Sequence, residues 1–291
     1  MELVWLEDFA ALAEHKSFVR AAEARHITQP AFSRRIRALE QWMGVSLFVR
    51  TPQGTALTDA GRHIHAGAVE AAGQLYRLRA EAQEIGGKGA RTLQFAATHS
   101  LSFTFFPRWI RRLEQGTPME ALRLHSDTMA ACEQLLLHGD CQFLLCHRHV
   151  AVPSPLSTEQ FESLKVGEDT LIPLVGRELS TQGLETMPYL AYTQASGLGR
   201  VVSHWLDENA VATPRAPHFE SHLAAVLMSM AMENKGLAWL PRSLAEQEIA
   251  EGRLVRGLER TWDIPLEIHL TRAKGAVNGL ADAFWKRLAE G

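Results

Sequence analysis

Apolar residues recur every three or four positions through the first forty residues, and this spacing predicts three short helices. Leu3, Leu6, Phe9, Leu12 and Ala13 form the inner stripe of the first. Ser17 offers an N-cap oxygen to a second helix over 18–25, with Phe18, Ala21 and Ala22 facing inward. Thr28 stands where it can cap a third, and Pro30 falls in its first turn, where a missing N–H costs nothing. Gly44 ends that helix. Residues 47–50 and 54–57 then read as two short strands joined through Pro52, Gln53 and Gly54, a hairpin wing.

After Thr58 the period tightens. Ile64, Ala68, Ala71, Leu75, Leu78, Ala82 and Ile85 step alternately by four and three, an a/d heptad. A helix lying on its own domain is one reading. The strict spacing, the small alanines and the flanks Arg77, Arg79, Glu81 and Glu84 favour pairing with a second chain. Gly86, Gly87, Lys88 and Gly89 then break the helix into a hinge. From residue 90 onward strands and helices alternate. Strands are expected at 92–98, 121–127, 142–148, 170–175, 189–193, 217–220, 236–241 and 266–272. Helices are expected at 105–114, 129–138, 198–208, 223–234 and 279–288. Such alternation predicts parallel sheets covered by helices.

The third helix carries the most chemistry. Phe32, Ile36, Leu39 and Met43 make its apolar stripe, while Gln29, Pro30, Ser33, Arg34 and Arg37 gather on another face. Glutamine matches adenine edges and arginine matches guanine in the major groove. The wing puts Arg50 where a neighbouring phosphate backbone would run. Arg35 points away from the reading face and is assigned to phosphate or solvent.

Composition narrows the class. At 291 residues, 46% apolar and 22% charged, the chain is an ordinary globular protein of two or three domains. Its net charge is −3, yet residues 25–50 hold five arginines against one acid, Glu40, a local excess that suits a small nucleic-acid head or a solvated helix face. No apolar run reaches the ~18 residues of a membrane span, and the acidic start lacks a secretory pattern, so a cytosolic protein is expected. Cys132, Cys141 and Cys146 are too few for a disulfide framework. Their C-x4-C spacing, with Cys146 and His147 on opposite strand faces, does not make a zinc site with His147 and His149, and Cys146 is expected as a buried thiol. Gly197-Leu198-Gly199 lacks the third glycine and acidic partner of a dinucleotide loop, so no cofactor is expected and no catalytic motif stands out.

The runs Ser17-Phe18-x-x-Ala21-Ala22, Thr28-Gln29-Pro30-Ala31-Phe32-Ser33-Arg34-Arg35-Ile36-Arg37-x-Leu39-Glu40, Gly44-Val45-x-Leu47-Phe48-x-Arg50 and Leu57-Thr58-x-Ala60-Gly61 resemble the signature of LysR-type transcription regulators. The resemblance implies a winged helix-turn-helix that reads DNA as a dimer, with family habit favouring a tetramer of two dimers. An inverted-repeat promoter site follows from two-fold pairing. It further implies an α+β multidomain chain, with a DNA-binding domain over 1–58 and a linker helix and hinge over 59–89. A two-lobed α/β effector domain like a periplasmic binding protein fills 90–291. Lobe I is assigned 90–163 and 267–291, lobe II 164–266, with crossovers near 163–166 and 265–268.

Ligands of such sheets bind beyond the carboxyl ends of strands, between the lobes. Those ends read Thr98-His99-Ser100-Leu101-Ser102 and Thr193-Gln194-Ala195-Ser196-Gly197, whose hydroxyls and free amides suit a small anion. The family resemblance puts effector contacts there and near Thr128 and His147. Ser100 and Ser196 could equally cap their helices, and the two roles are compatible. A narrower likeness, carried by residues 29–40, 97–102, 236–241 and Phe284-Trp285, is to the hypochlorite-responsive branch, which implies oxidant sensing. Met228, Met230 and Met232 are its candidate sensors, with Met119, Met129 and Met187 elsewhere. Methionines at helical spacing also simply fill core gaps. A rival class remains open, a ligand-binding or catalytic α/β protein whose N-terminal helices serve only for interaction.

Overall fold

The computed structural model describes the chain except residues 53, 84–85, 87–91, 115–120, 155, 157, 180–186, 210–216, 276–278 and 291. Gln53 of the wing turn, Glu84, Ile85, the 87–89 part of the hinge and Met119 lie outside the described residues. The chain divides into two compact units, 1–83 and 84–291.

In the first unit, α1 (Leu3–His15), α2 (Phe18–Ala24) and α3 (Gln29–Met43) precede the hairpin β1 (Phe48–Thr51) and β2 (Gly54–Leu57), and α4 (Asp59–Gln83) follows. Phe9, Leu12, Phe32 and Leu39 are fully enclosed between the helices. Ser17 Oγ accepts from Arg20 N at 3.5 Å, as the spacing predicts. Thr28 occupies the cap position of α3 in an extended conformation, but its side chain makes no cap bond. Pro30 has removed one of the two amides such an oxygen could receive.

Backbone anchors fix the wing to this core. Gly44 ends α3 at φ 71° and returns its N–H to Glu40 O. Glu40 Oε1 then accepts from Leu47 N at 2.7 Å and Phe48 N at 3.2 Å, tying β1 to α3. At the far end Thr55 N donates to Lys16 O at 2.9 Å. A Cβ on Gly54, at φ 125°, would sit 2.6 Å from that same oxygen.

α4 corrects part of the heptad reading. Ile64 and Ala68, with Ala60 and Ala72, step by four and pack onto the first unit's own core. Leu75 and Leu78 are exposed, as are Ala71 and Ala82. A straight helix drifts off a 3.5-residue repeat, so one stripe faces the head and then turns away.

The second unit has a seven-stranded sheet in the order β10-β6-β11-β5-β3-β4, with β9 also on β6. Its lobe I part holds β3 (Thr92–Thr98), β4 (Ala121–Asp127) and β5 (Phe143–Arg148), all parallel. They are covered by α5 (His99–Thr104), α6 (Phe106–Leu113), α7 (Met129–Leu137) and α11 (Gly279–Glu290). Phe95, Phe143, Trp109, Phe284 and Trp285 pack there as an aromatic core. Lobe II holds β7 (Leu190–Tyr192), β8 (Phe219–Ser221), β9 (Ala238–Pro241) and β10 (Leu254–Arg256), with α8 (Gly197–Glu208), α9 (Ala224–Met232) and α10 (Arg242–Ala250).

The expectation of parallel sheets fails at the crossovers. β6 (Phe161–Gly176) and β11 (Ile264–Ala273) are long strands that run antiparallel to each other, and β11 is antiparallel to β5 as well. The register shifts between Ile268 and His269. Gly167 faces the Phe105 ring so closely that a Cβ would lie 2.7 Å from it. Over residues 161–169 β6 pairs along one edge with β11, and Leu164 and Val166 pack on the lobe I core while Lys165 and Glu168 stay exposed. The expected 105–114 helix is α6, the segment after Thr98 forms the separate short helix α5, and α10 and β10 were not anticipated at all. α10 buries Ala245 and little else, which leaves a weak periodic signal.

Candidate nucleic-acid interface and ligand cavity

On α3, Phe32, Ile36 and Leu39 turn inward, and Gln29, Pro30, Arg34 and Arg37 are exposed, with Ser33 half-buried. Gln29, Ser33 and Arg37 line one concavity of about 160 Å³ with Arg50 and Val49 of the wing. Pro30 and Arg34 lie outside its lining. Arg34, Arg37 and Arg50 have no ion-pair or hydrogen-bond partner among the described residues.

The other two arginines of the basic stretch are spoken for. Arg25 Nε donates to Asp8 Oδ1 at 2.9 Å and its Nη2 to Glu7, while Arg35 Nη1 reaches Asp8 Oδ2 at 3.4 Å. Arg35 is therefore tied to a carboxylate rather than held out to phosphate or solvent, which corrects the reading above. Burial works against the Arg25 charge, but the Asp8 hydrogen bond and the nearby Glu7 outweigh it and raise the pKa. Asp8 is wholly buried on α1, remote in sequence from both arginines, so the local charge count could not see it.

In the second unit, six of the eight expected ligand residues line a single cavity of about 30 Å³: Thr98, His99, Ser100, Thr128, His147 and Ser196. Ser102 does not, since its Oγ donates to His99 O at 2.7 Å and meets Ser126 Oγ at 2.8 Å. Nor does Thr193, whose carbonyl accepts from Ser196 N at 3.1 Å and shapes the turn into α8. Asp127, Met129, Gly197, Leu198, His222 and Ala224 complete the lining. His222 follows β8 and brings its ring to 5.8 Å from that of His99. It stands at a strand's carboxyl end, and the rule that found Thr98 could have found it.

Most lining groups are donors. Thr128 Oγ1 accepts from Ala131 N and Ser196 Oγ from Gly199 N, each at 3.3 Å, so both cap helices. A hydroxyl that accepts a cap bond keeps its own proton to donate. Thr98 Oγ1 and His147 Nδ1 are buried without a partner among the described residues. His147 Nε2 lies 3.3 Å from Asp169 Oδ2. Asp169 also receives Thr170 N at 2.7 Å, Ser243 N at 3.2 Å and Ser243 Oγ at 2.5 Å. Burial alone would raise the Asp169 pKa, and these hydrogen bonds, led by His147, bring it below the ordinary value instead.

Behind His147 a second cavity of about 50 Å³ includes Cys146 and a Glu133–Arg200 pair joining α7 to α8, with Arg200 Nη1 to Glu133 Oε1 at 3.0 Å. All three cysteines are buried, and burial pushes the Cys132 and Cys146 thiols up to about 12. Such thiols carry little thiolate and react slowly. Met228, Met230 and Met232 on α9 are half-buried against the lobe II core.

Residues 3–62 match the bacterial regulatory helix-turn-helix of the lysR family, and residues 86–291 match the LysR substrate binding domain. The chain belongs to the LysR family. This LysR-type regulator is 30% identical to the HTH-type transcriptional regulator YjiE of Escherichia coli K12, across 100% of this chain and 95% of that one. It is similar to full-length HypT of Salmonella typhimurium, described as a hypochlorite-specific LysR-type regulator, at 28% identity, TM-score 0.58 and coverage of 100% and 97%. It is also similar to the bromide-bound regulatory domain of HypT, at 25% identity and TM-score 0.57, over 69% of this chain and 95% of that domain. Transcription regulation through a DNA-binding helix-turn-helix and an effector-binding domain thus displaces the rival reading of a catalytic protein with an interaction module.

Proposed function

We propose that this regulator reads its promoter through Gln29, Pro30, Ser33, Arg34 and Arg37 in the major groove, with Arg50 on phosphate. The concavity that joins Gln29, Ser33 and Arg37 to Arg50 carries this reading, because it combines base-matching side chains with free cations. The working divisions are a reading head over 1–58, a pairing helix and hinge over 59–89, and the effector domain over 90–291. The exposed Leu75 and Leu78 support pairing of two copies on an inverted repeat, and a dimer of dimers. The protein acts as a cytoplasmic regulator rather than an enzyme. Among the described residues no helix is long and apolar enough to cross a membrane.

The effector we propose is a small anion held by Thr98, His99, Ser100, Thr128, His147 and Ser196, with Ser102 and Thr193 shaping the flanks. The surplus of donors supports it, as does the bromide-bound state of a similar domain. A second reading, that oxidation of Met228, Met230 or Met232 is the signal, draws support from the likeness to hypochlorite-specific HypT. Binding of a dyad-symmetric promoter fragment should fall with salt and weaken on Arg37→Ala or Gln29→Ala. Undiminished binding by both variants would refute the assignment. An unchanged footprint with halide, formate and hypochlorite would refute both effector readings.

A further inference from the structure

The ligand cavity is lined by an imidazole with one nitrogen that no described group pairs, and in the neutral ring that nitrogen is the wrong kind of group for an anion. His147 is buried, with its side chain 3% exposed. Asp169 Oδ2 already receives the Ser243 hydroxyl at 2.5 Å, and Oδ1 receives two backbone amides. An ionised carboxylate accepts only, so the nitrogen facing it, Nε2 at 3.3 Å, is the one that carries hydrogen. In the neutral ring Nδ1 is then a bare lone pair, and no described group donates to it. The hydroxyls of Thr98, Thr128 and Ser196 in the same cavity lining offer protons, while this one atom offers electrons. An anion seated among those hydroxyls would share the site with an unpaired lone pair.

We propose that the cavity takes up a small monovalent anion together with one proton, the proton residing on His147 Nδ1 and Asp169 serving as the counter-ion behind it. The inference rests on the reading of this cavity as the effector site. Its balance is simple: an anion and a proton enter, no bond to carbon or sulfur forms, and the same two leave on release. The undissociated form of a small weak acid delivers the same pair. Burial explains why the proton must accompany the anion. Asp169 is already one enclosed negative charge, and a second without compensation is costly in a dry site. With Nδ1 protonated, the enclosed net charge is the same before and after binding. Other charged or titratable groups near the ring are Asp127, His99 and His222 on the cavity side, and Glu133, Arg200, Arg148 and His149 on the opposite side. Glu133 is neutralised by Arg200, and Asp127 is exposed with Oδ1 on Thr128 N at 2.7 Å. Asp169 is the carboxylate that touches His147. A volume of about 30 Å³ admits an occupant the size of a halide or a water.

Titration calorimetry of the full-length protein with sodium bromide, and separately sodium formate, tests this in chloride-free buffers of different ionisation enthalpy at pH 6 and pH 8. The expected result is uptake of close to one proton per anion, and affinity that weakens with rising pH by up to about tenfold per unit. Ring ¹⁵N spectra of the unaltered protein near neutral pH should show Nδ1 passing from lone pair to N–H as bromide is added. His147→Asn, whose amide cannot take a proton, should bind, if it folds, with neither proton uptake nor pH dependence. Anion binding with equal affinity at both pH values and no proton exchange overturns the proposal while leaving the cavity as an anion site. No heat and no ring shift with either salt at pH 6 overturns the cavity reading itself, and this inference with it.

Discussion

The two functional surfaces of this LysR-type regulator solve opposite electrostatic problems. The face of α3 and the wing presents Arg34, Arg37 and Arg50 exposed and unpaired among the described residues. Water keeps those cations inexpensive until a polyanion replaces it, so binding there is strong, long-ranged and sensitive to salt. The proposed ligand cavity is small and partly open, and its polar lining is hydroxyls, imidazoles and a carboxylate, with His147 backed by Asp169. In the proposed reading, discrimination there comes from size and protonation rather than from net charge. The contrast also separates arginines that look alike in sequence, since Arg25 and Arg35 are bound to Asp8 and hold the head together.

The comparison breaks most visibly at Asp8. Asp8→Ala leaves the partly buried Arg35 without its carboxylate and Arg25 with Glu7 alone, and should lower the stability of the head by about 3 kcal/mol. The transition followed by circular dichroism in denaturant would show it. An unchanged midpoint would return Arg25 and Arg35 to the class of free surface charges. Next in size, Arg37→Ala should weaken the cognate promoter by about 1–3 kcal/mol and relax the preference at one base pair. Arg50→Ala should weaken cognate and unrelated DNA alike and make the salt slope shallower by about one, read by fluorescence anisotropy across a salt series. If both variants behave the same way, the division between base-reading and phosphate contacts is wrong.

In the cavity, Ser196→Ala should cost about 1 kcal/mol through loss of the α8 cap. Ser196→Asp keeps a capping oxygen, so its melting temperature should stay near that of the unaltered protein while anion binding disappears. Equal anion binding by the two variants would detach Ser196 from the ligand. The smallest effect is expected from Asp169→Asn and depends on pH. The Asp169 pKa is lowered on folding, so the carboxylate contributes stability that is present above about 3.8, its ordinary value, and lost as pH falls through the lower folded value. The variant should thus be less stable than the parent near neutrality, and the gap should close in acid. A gap that stays constant from pH 7 to pH 3 would mean the hydrogen-bonded carboxylate contributes nothing through its charge.

The head was largely legible because its working residues are contiguous. Gln29 to Arg37 lie within three turns of one helix, where a 3.6-residue period sorts inner from outer positions. Lobe I strands were equally readable, since β5 is a buried apolar run and β4 alternates leucine with polar residues. The crossover strands were only partly readable: strands at 170–175 and 266–272 were expected, but β6 begins at Phe161, in a stretch where Ser163, Lys165 and Glu168 dilute the apolar signal. His147 was named as a contact, yet its partner Asp169 was not, since it comes from the crossover ribbon and Ser243 from an unexpected helix.

By itself, then, the amino-acid order determined most of the elements, the exposed face of α3 proposed for reading, and the hydroxyls at two strand ends. These are local properties, decided by spacing along one segment and by which backbone groups a segment end leaves free. The tertiary structure decided which charges are available and which are consumed, which half of the α4 stripe is covered, and which nitrogen of His147 is paired. Each of those depends on a group brought close by folding from another segment, Asp8 to Arg25 and Arg35, the first unit's core to Ile64 and Ala68, and Asp169 to His147. Pairing energy falls off within a few ångströms, and a linear sequence carries no record of such distances.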